Sequence, residues 1–119
     1  MSETTINSQA AAPADTTDPA RLVELGMQHF DNEQYDEALA TFQAALQLDP
    51  TMAAAYNGIG RVYYHTRPEH AEAAYQRAID LDPQYVDPYY GIGILHVSKF
   101  GDYDRGITAF ELGLERNPE

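Results

Sequence analysis

The chain reads LDPTMAAAYNGIG at residues 48–60 and LDPQYVDPYYGIG at 81–93. Both stretches open on Leu-Asp-Pro, place a tyrosine ninth and close on Gly-Ile-Gly, and they lie 33 residues apart. Two explanations compete: a glycine loop that cradles phosphate and is used twice, or an architectural repeat. A phosphate loop follows a strand and opens a helix. Here no strand pattern precedes Gly-Ile-Gly, and apolar residues recur around it at three- and four-residue spacing, so the glycines fall inside a helix. The repeat is read as architectural.

Other residues keep the same period. Gly26, Gly60 and Gly93 are 34 and 33 residues apart, and Pro50, Pro83 and Pro118 are 33 and 35 apart. Between each glycine and its proline lies a second recurring set: Tyr35, Ala38, Phe42 and Ala45; then Ala71, Tyr75 and Ala78; then Tyr103, Gly106, Phe110 and Gly113. Asp18-Pro19 and Asp87-Pro88 each offer a capping aspartate with proline at the first helical position. Leu-Asp-Pro at 48–50 and 81–83 ends a helix, because proline disfavours helical backbone in the residue before it.

Two helices per period of 33–35 residues resemble the tetratricopeptide repeat (TPR). The resemblance is carried by LVELGMQH…YDEALATFQAALQLDP, YNGIGRVY…AEAAYQRAIDLDP and YYGIGILH…YDRGITAFELGLERNP, and it covers about 19–119. It implies an all-α fold, an α-solenoid of three helix-turn-helix pairs, with repeats at about 19–52, 53–85 and 86–119. The small residues (Gly26, Gly60, Gly93; Ala38, Ala71, Gly106) let paired backbones approach. The large ones (Leu22, Tyr56, Tyr89; Phe42, Tyr75, Phe110) fill the space around that contact. The second repeat is one residue short at HTRPEH (65–70) and the third one residue long at KFGDY (99–103). Turns absorb such changes.

Residues 1–17 carry almost no large apolar side chains and are expected to form a disordered leader ahead of a single domain over 18–119. The start lacks a basic segment followed by an apolar one, and no apolar run approaches the roughly 20 residues that span a bilayer. A cytoplasmic location is expected. With no cysteine, neither a disulfide scaffold nor a thiolate metal site can form. Nineteen acids face seven bases, for a net charge of −12, and Lys99 is the only lysine. That balance argues against nucleic acid or an anionic membrane as partner. It fits a well-solvated acidic surface or the lysine-poor surface of a protein from a high-salt cytoplasm, and less well an acidic partner-binding surface.

No enzyme chemistry is evident. His29 and His96 hold equivalent positions in repeats one and three and are read as packing residues; stacking keeps them too far apart to share a metal. His65 and His70, with Glu69 and Glu72 nearby, are read as a solvated turn. No nucleophile, base and orienting group fall into an arrangement, and no cofactor or metal is expected.

The resemblance implies a concave groove lined by the first helix of each repeat, taking an extended or helical segment of another protein. Aligned on this chain, its residues are Val23, Met27 and Phe30; Asn57, Arg61 and Tyr64; and Tyr90, Ile94 and Val97. The Lys/Arg/Asn clamp by which one TPR subclass grips acidic chaperone tails is absent: its places hold Val23, Met27, Gly58, Asp87 and Gly91. A rival expectation is self-association. The last helix, roughly 103–116, leaves Ile107, Phe110 and Leu114 without a following repeat, and Leu112 adds a further apolar side chain, so a partner, a second copy in a homodimer or a missing downstream segment would cover them.

Overall fold

The structure, a computed structural model, describes residues 17–116; all of the expected leader except Thr17, and Pro118 of the third repeat, lie outside the described residues. Helix α1 spans Pro19–Asp31, α2 Tyr35–Leu48, α3 Ala53–Thr66, α4 Pro68–Leu81, α5 Asp87–Leu95 and α6 Tyr103–Arg116. No strand occurs among the described residues. Consecutive helices pack as the pairs α1–α2, α3–α4 and α5–α6, and each pair stacks on the next. The fold is an all-α solenoid, as the repeat implies.

Local sequence explains the boundaries. The Asp18 carboxylate accepts the Ala20 N–H at 3.0 Å, with Pro19 in the first turn of α1. α2 and α4 both end on the leucine of Leu-Asp-Pro, and Asp49 and Asp82 leave the helical region at φ −144° and −146°. Asp87 departs from expectation. Val86 is already helical at φ −76°, so Asp87 falls inside the first turn of α5 and its side chain caps nothing.

The two irregular turns are accommodated differently. In repeat two a single residue, Arg67, separates α3 from α4. In repeat three the extra residue enters the helix: α5 runs into a π-helical turn over His96–Phe100, where the Gly101 N–H donates to the His96 carbonyl. Gly101 then turns the chain at φ 67°, a conformation glycine adopts without a side-chain penalty.

Glycine and aromatic side chains interlock along the stack. The Phe42 ring is fully buried between two helices. A Cβ on Gly26 would stand 2.6 Å from its Cε1, and one on Gly58 would stand 2.4 Å from its Cζ. Tyr75 sits the same way between Gly60 and Gly91, where such a Cβ would lie 2.6 and 2.5 Å from the ring. Each Gly-Ile-Gly is therefore divided between two rings: the first glycine takes the aromatic of the preceding repeat, the second that of its own. Phe110 closes on Gly93 in the same manner.

Candidate functional site

The groove follows from which face of the first helices the ring packing leaves uncovered. Gly60 and Gly91 bring α3 and α5 against Tyr75, and Arg61 and Ile94 then project beside that contact. Two adjoining cavities result, of about 240 and 220 Å³, sharing Arg61, Tyr75, Gly91 and Ile94. Phe30, Tyr64 and His65 complete the first, and Asn57, Asp87 and Tyr90 the second.

Arg61 is the centre of this surface. Its guanidinium carbon lies 4.5 Å from the centroid of the Phe30 ring, and its Nη1 is 3.7 Å from the Met27 sulfur. These contacts come from the first repeat and fix the side chain without neutralising it; among the described residues it forms no ion pair. Tyr64 forms one wall. Its hydroxyl bonds Ser98 Oγ at 2.6 Å, and Lys99 stands over its ring at 4.7 Å, tying repeats two and three together. His65 stacks on Tyr35 at 5.2 Å between centroids and meets Tyr64 edge-on at 5.0 Å. Asn57 is buried and its Oδ1 has no hydrogen-bond partner. Burial pushes the neighbouring Tyr85 phenol up, reinforced by Asp87 and opposed by a hydrogen bond from Asn57.

Of the nine residues placed in the groove by alignment, the cavities bring together Phe30, Asn57, Arg61, Tyr64, Tyr90 and Ile94. Val23 and Met27, like Phe30, pack against the first core cluster, and Met27 also reaches the groove through its contact with Arg61. Val97 turns to α6, its Cγ2 filling the space over Gly106. Tyr90 has a second duty, since its ring covers Gly113 and lies 6.3 Å from that of Phe110. The cavities also draw in Tyr75 and His65, which the alignment did not place in the groove, and Asp87 and Gly91, which it set at the places of the absent clamp. Two of the ring neighbours of His65, Phe30 and Tyr35, come from other helices, so local spacing carried no sign of them.

A larger cavity, about 570 Å³, opens on the other face of α5. There the buried His96 places Nε2 3.0 Å from Glu72 Oε1, while its Nδ1 has no partner. Its lining residues Gln76, Ile79, Tyr89, Ile92 and His96 lie 33 positions after Gln43, Leu46, Tyr56, Ile59 and Tyr63, which line a cavity of about 500 Å³ one repeat earlier. A hollow that recurs with the period is a product of stacking. His29 is held by Gln34, whose Oε1 is 2.9 Å from Nδ1. Among the described residues no group of three or more His, Cys, Asp or Glu side chains could hold a metal ion, and no helix is long and apolar enough to cross a membrane.

Of the possible self-association residues, Ile107 and Leu114 are each 52% exposed and share one face of α6. Leu112 does not join them; it lines the 570 Å³ cavity with Ile79 and Ile92.

A family model described as the tetratricopeptide repeat matches residues 23–86. Two solved structures are similar. The crystal structure of MamA aligns with a TM-score of 0.77 at 30% identity, over 92% of this chain and 64% of that one. A crystal structure of MamA protein gives 0.75 at 28% identity, over 90% of this chain and 58% of the other. The chain thus spans less than two thirds of the length of either. No curated protein matches it in sequence.

Proposed function

The chain belongs to the tetratricopeptide-repeat family, and from that premise we propose that it is a non-catalytic scaffold that holds a peptide or helix of another protein in its concave groove. The observation behind this reading is Arg61: a cation without a carboxylate partner among the described residues, set among Phe30, Tyr64 and Ile94. An apolar surface with one oriented guanidinium suits a protein segment that offers an apolar side chain beside a carboxylate or backbone carbonyl. The excess of acid over the chain speaks against nucleic acid and anionic lipid as occupants.

The rival, self-association through the last helix, has less support. Leu112 faces away from Ile107 and Leu114, and two chains of net charge −12 repel at low salt. The test uses the groove itself. Arg61→Ala and Ile94→Glu change residues at its surface, and Ile94 is 49% exposed, so the fold tolerates the change. Proteins captured from native lysate by the wild type and lost by both variants, at unchanged helicity, support the reading. An identical set captured by all three chains overturns it.

A further inference from the structure

The hollow of about 500 Å³ between repeats one and two owes its shape to stacking, but not its charge. Its apolar lining comes from Leu46 of α2, Tyr56, Ile59 and Tyr63 of α3, and Ala74 of α4. Its charged lining is basic. Arg67, His70 and Arg77 border it, and among the described residues no aspartate or glutamate does. In a chain of net charge −12 that is a local reversal of sign. Arg67 and Arg77 form no ion pair among the described residues; His70 Nε2 has Glu69 Oε2 at 3.9 Å, with both side chains exposed. Tyrosines hold two of the basic groups in place. Arg77 lies 5.7 Å from the centroid of the Tyr56 ring, and the His70 ring lies 5.7 Å from that of Tyr63. Arg67 is set by the one-residue turn between α3 and α4, its N–H donating to the Tyr63 carbonyl at 2.7 Å. The hollow of the next repeat supplies the comparison. There the places of Arg67, His70 and Arg77, each 35 positions later, hold Asp102, Arg105 and Leu112. Its two arginines, Arg105 and Arg116, each have a carboxylate at 3.5 Å, and Glu72 and Asp104 join the lining. The hollow forms there without an unpaired basic set, so packing does not require one.

We propose that this hollow binds an extended acidic segment of another protein, in which two carboxylates flank one apolar side chain. The site shares no lining residue with the groove around Arg61, and it stands whether or not that groove has an occupant. Spacing sets the pattern. His70 and Arg77 are seven residues apart on α4, about 10.5 Å along its axis, and Arg67 lies about 15 Å from Arg77 on the same measure. In an extended segment residues i and i+4 point the same way about 13 Å apart, with i+2 between them. Glutamates at i and i+4 then meet the cations at the two ends, while the side chain at i+2 enters among Leu46, Ile59 and the tyrosines. More distant acids of the chain repel such a segment. At 0.15 M salt the Debye length of about 8 Å leaves the nearest charges decisive.

The probe is the peptide Glu-Ser-Phe-Ser-Glu with blocked termini, labelled and titrated with the full chain in 0.15 M KCl. It should bind saturably below millimolar protein. Arg77→Leu gives that position the side chain the next repeat carries at Leu112, and it should weaken binding about fivefold at unchanged helicity. Arg67→Ser should weaken it by a similar factor, and Arg61→Ala should bind the peptide as the wild type does, which separates the hollow from the groove. Lys-Ser-Phe-Ser-Lys, with the charges reversed, and Glu-Ser-Ser-Ser-Glu, without the ring, should each bind at least about fivefold more weakly. The proposal is overturned if the lysine peptide binds as well as the glutamate one, if Arg61→Ala rather than Arg77→Leu weakens binding, or if nothing binds at millimolar protein. Displacement by inorganic phosphate, at an ionic strength where chloride leaves the peptide bound, also overturns it, because the site then holds small anions. So does a dimer in light scattering that Arg77→Leu makes monomeric, because the occupant is then a second copy.

Discussion

Gly58 of the second repeat lies against the tip of the Phe42 ring of the first, with room between them for hydrogen and nothing larger. In an exposed helix, Gly→Ala stabilises by up to about 1 kcal/mol. Here the added methyl would stand 2.4 Å from Cζ of a ring that is 0% exposed and held on its other side by Gly26. Overpacking of this kind costs about 1–3 kcal/mol, so it outweighs the propensity gain. Gly58→Ala should therefore lower stability by about 1–2 kcal/mol, read from urea denaturation. A stabilised variant would mean that the ring moves freely and that the interlock does not set the repeat spacing.

Much of this architecture was legible because each feature is a local choice repeated three times. Leu-Asp-Pro ended helices as its backbone chemistry requires, and the period placed Gly60 and Gly93 against Tyr75 and Phe110. The split duty of Gly-Ile-Gly was not legible, since Gly58 and Gly91 contact rings from the preceding repeat. The groove was legible in part. Val97 holds an aligned position, yet its Cγ2 packs over Gly106 of α6. Which neighbour an apolar side chain chooses depends on packing between helices, and the period does not encode that. The π-helical turn at His96–Phe100 was foreshadowed only as one extra residue.

Glu33 and Gly101 test how the inner turns are built. Both lie in the left-handed region, at φ 59° and 67°. That region costs a residue with a side chain roughly 1–2 kcal/mol, more than the roughly 0.5–1 kcal/mol of chain entropy that glycine adds. Glu33→Gly should stabilise by about 0.5–1 kcal/mol. Gly101→Ala should destabilise by about 1 kcal/mol from backbone strain alone, because no atom lies within 4 Å of the added carbon. Loss of stability in Glu33→Gly would show that the glutamate side chain has a role beyond its turn.

Burial between Gly60 and Gly91 pushes the Tyr75 phenol up to about 12, although Arg61 pulls the other way. In the unfolded chain the group titrates near 10. Below about pH 10 it is protonated in both states and its contribution is intact. Between about 10 and 12 the unfolded form ionises first, so stability falls as pH rises, by on the order of 2–3 kcal/mol. Tyr75→Phe should lack this part of the alkaline decline. Unfolding free energies at pH 8 and 11.5 for both chains give the comparison, and equal slopes would place Tyr75 in a wetter site than its burial indicates.

The last prediction concerns salt. Of seven lysines and arginines, four rest on aromatic faces: Arg61 on Phe30, Arg77 on Tyr56, Lys99 on Tyr64 and Arg116 on Tyr89. The lysine and arginine ion pairs Arg21–Glu24, Arg105–Asp102 and Arg116–Glu115 join close neighbours in sequence at the surface, where such pairs contribute little. Among the described residues most of the acids thus form no ion pair with lysine or arginine, and a net charge of −12 works against compactness. Salt screens that repulsion, with a Debye length falling from about 30 Å at 0.01 M to about 3 Å at 1 M. For a domain of this size 1 kcal/mol corresponds to about 4–8 °C in Tm. Between low and molar KCl the Tm should rise by about 5 °C more than that of a neutral member of the family, the control removing the general strengthening of apolar burial by salt. A rise above the control supports adaptation to a salt-rich cytoplasm. A rise equal to the control's leaves the acids as ordinary surface solvation, because repulsion that salt cannot relieve is not limiting the fold.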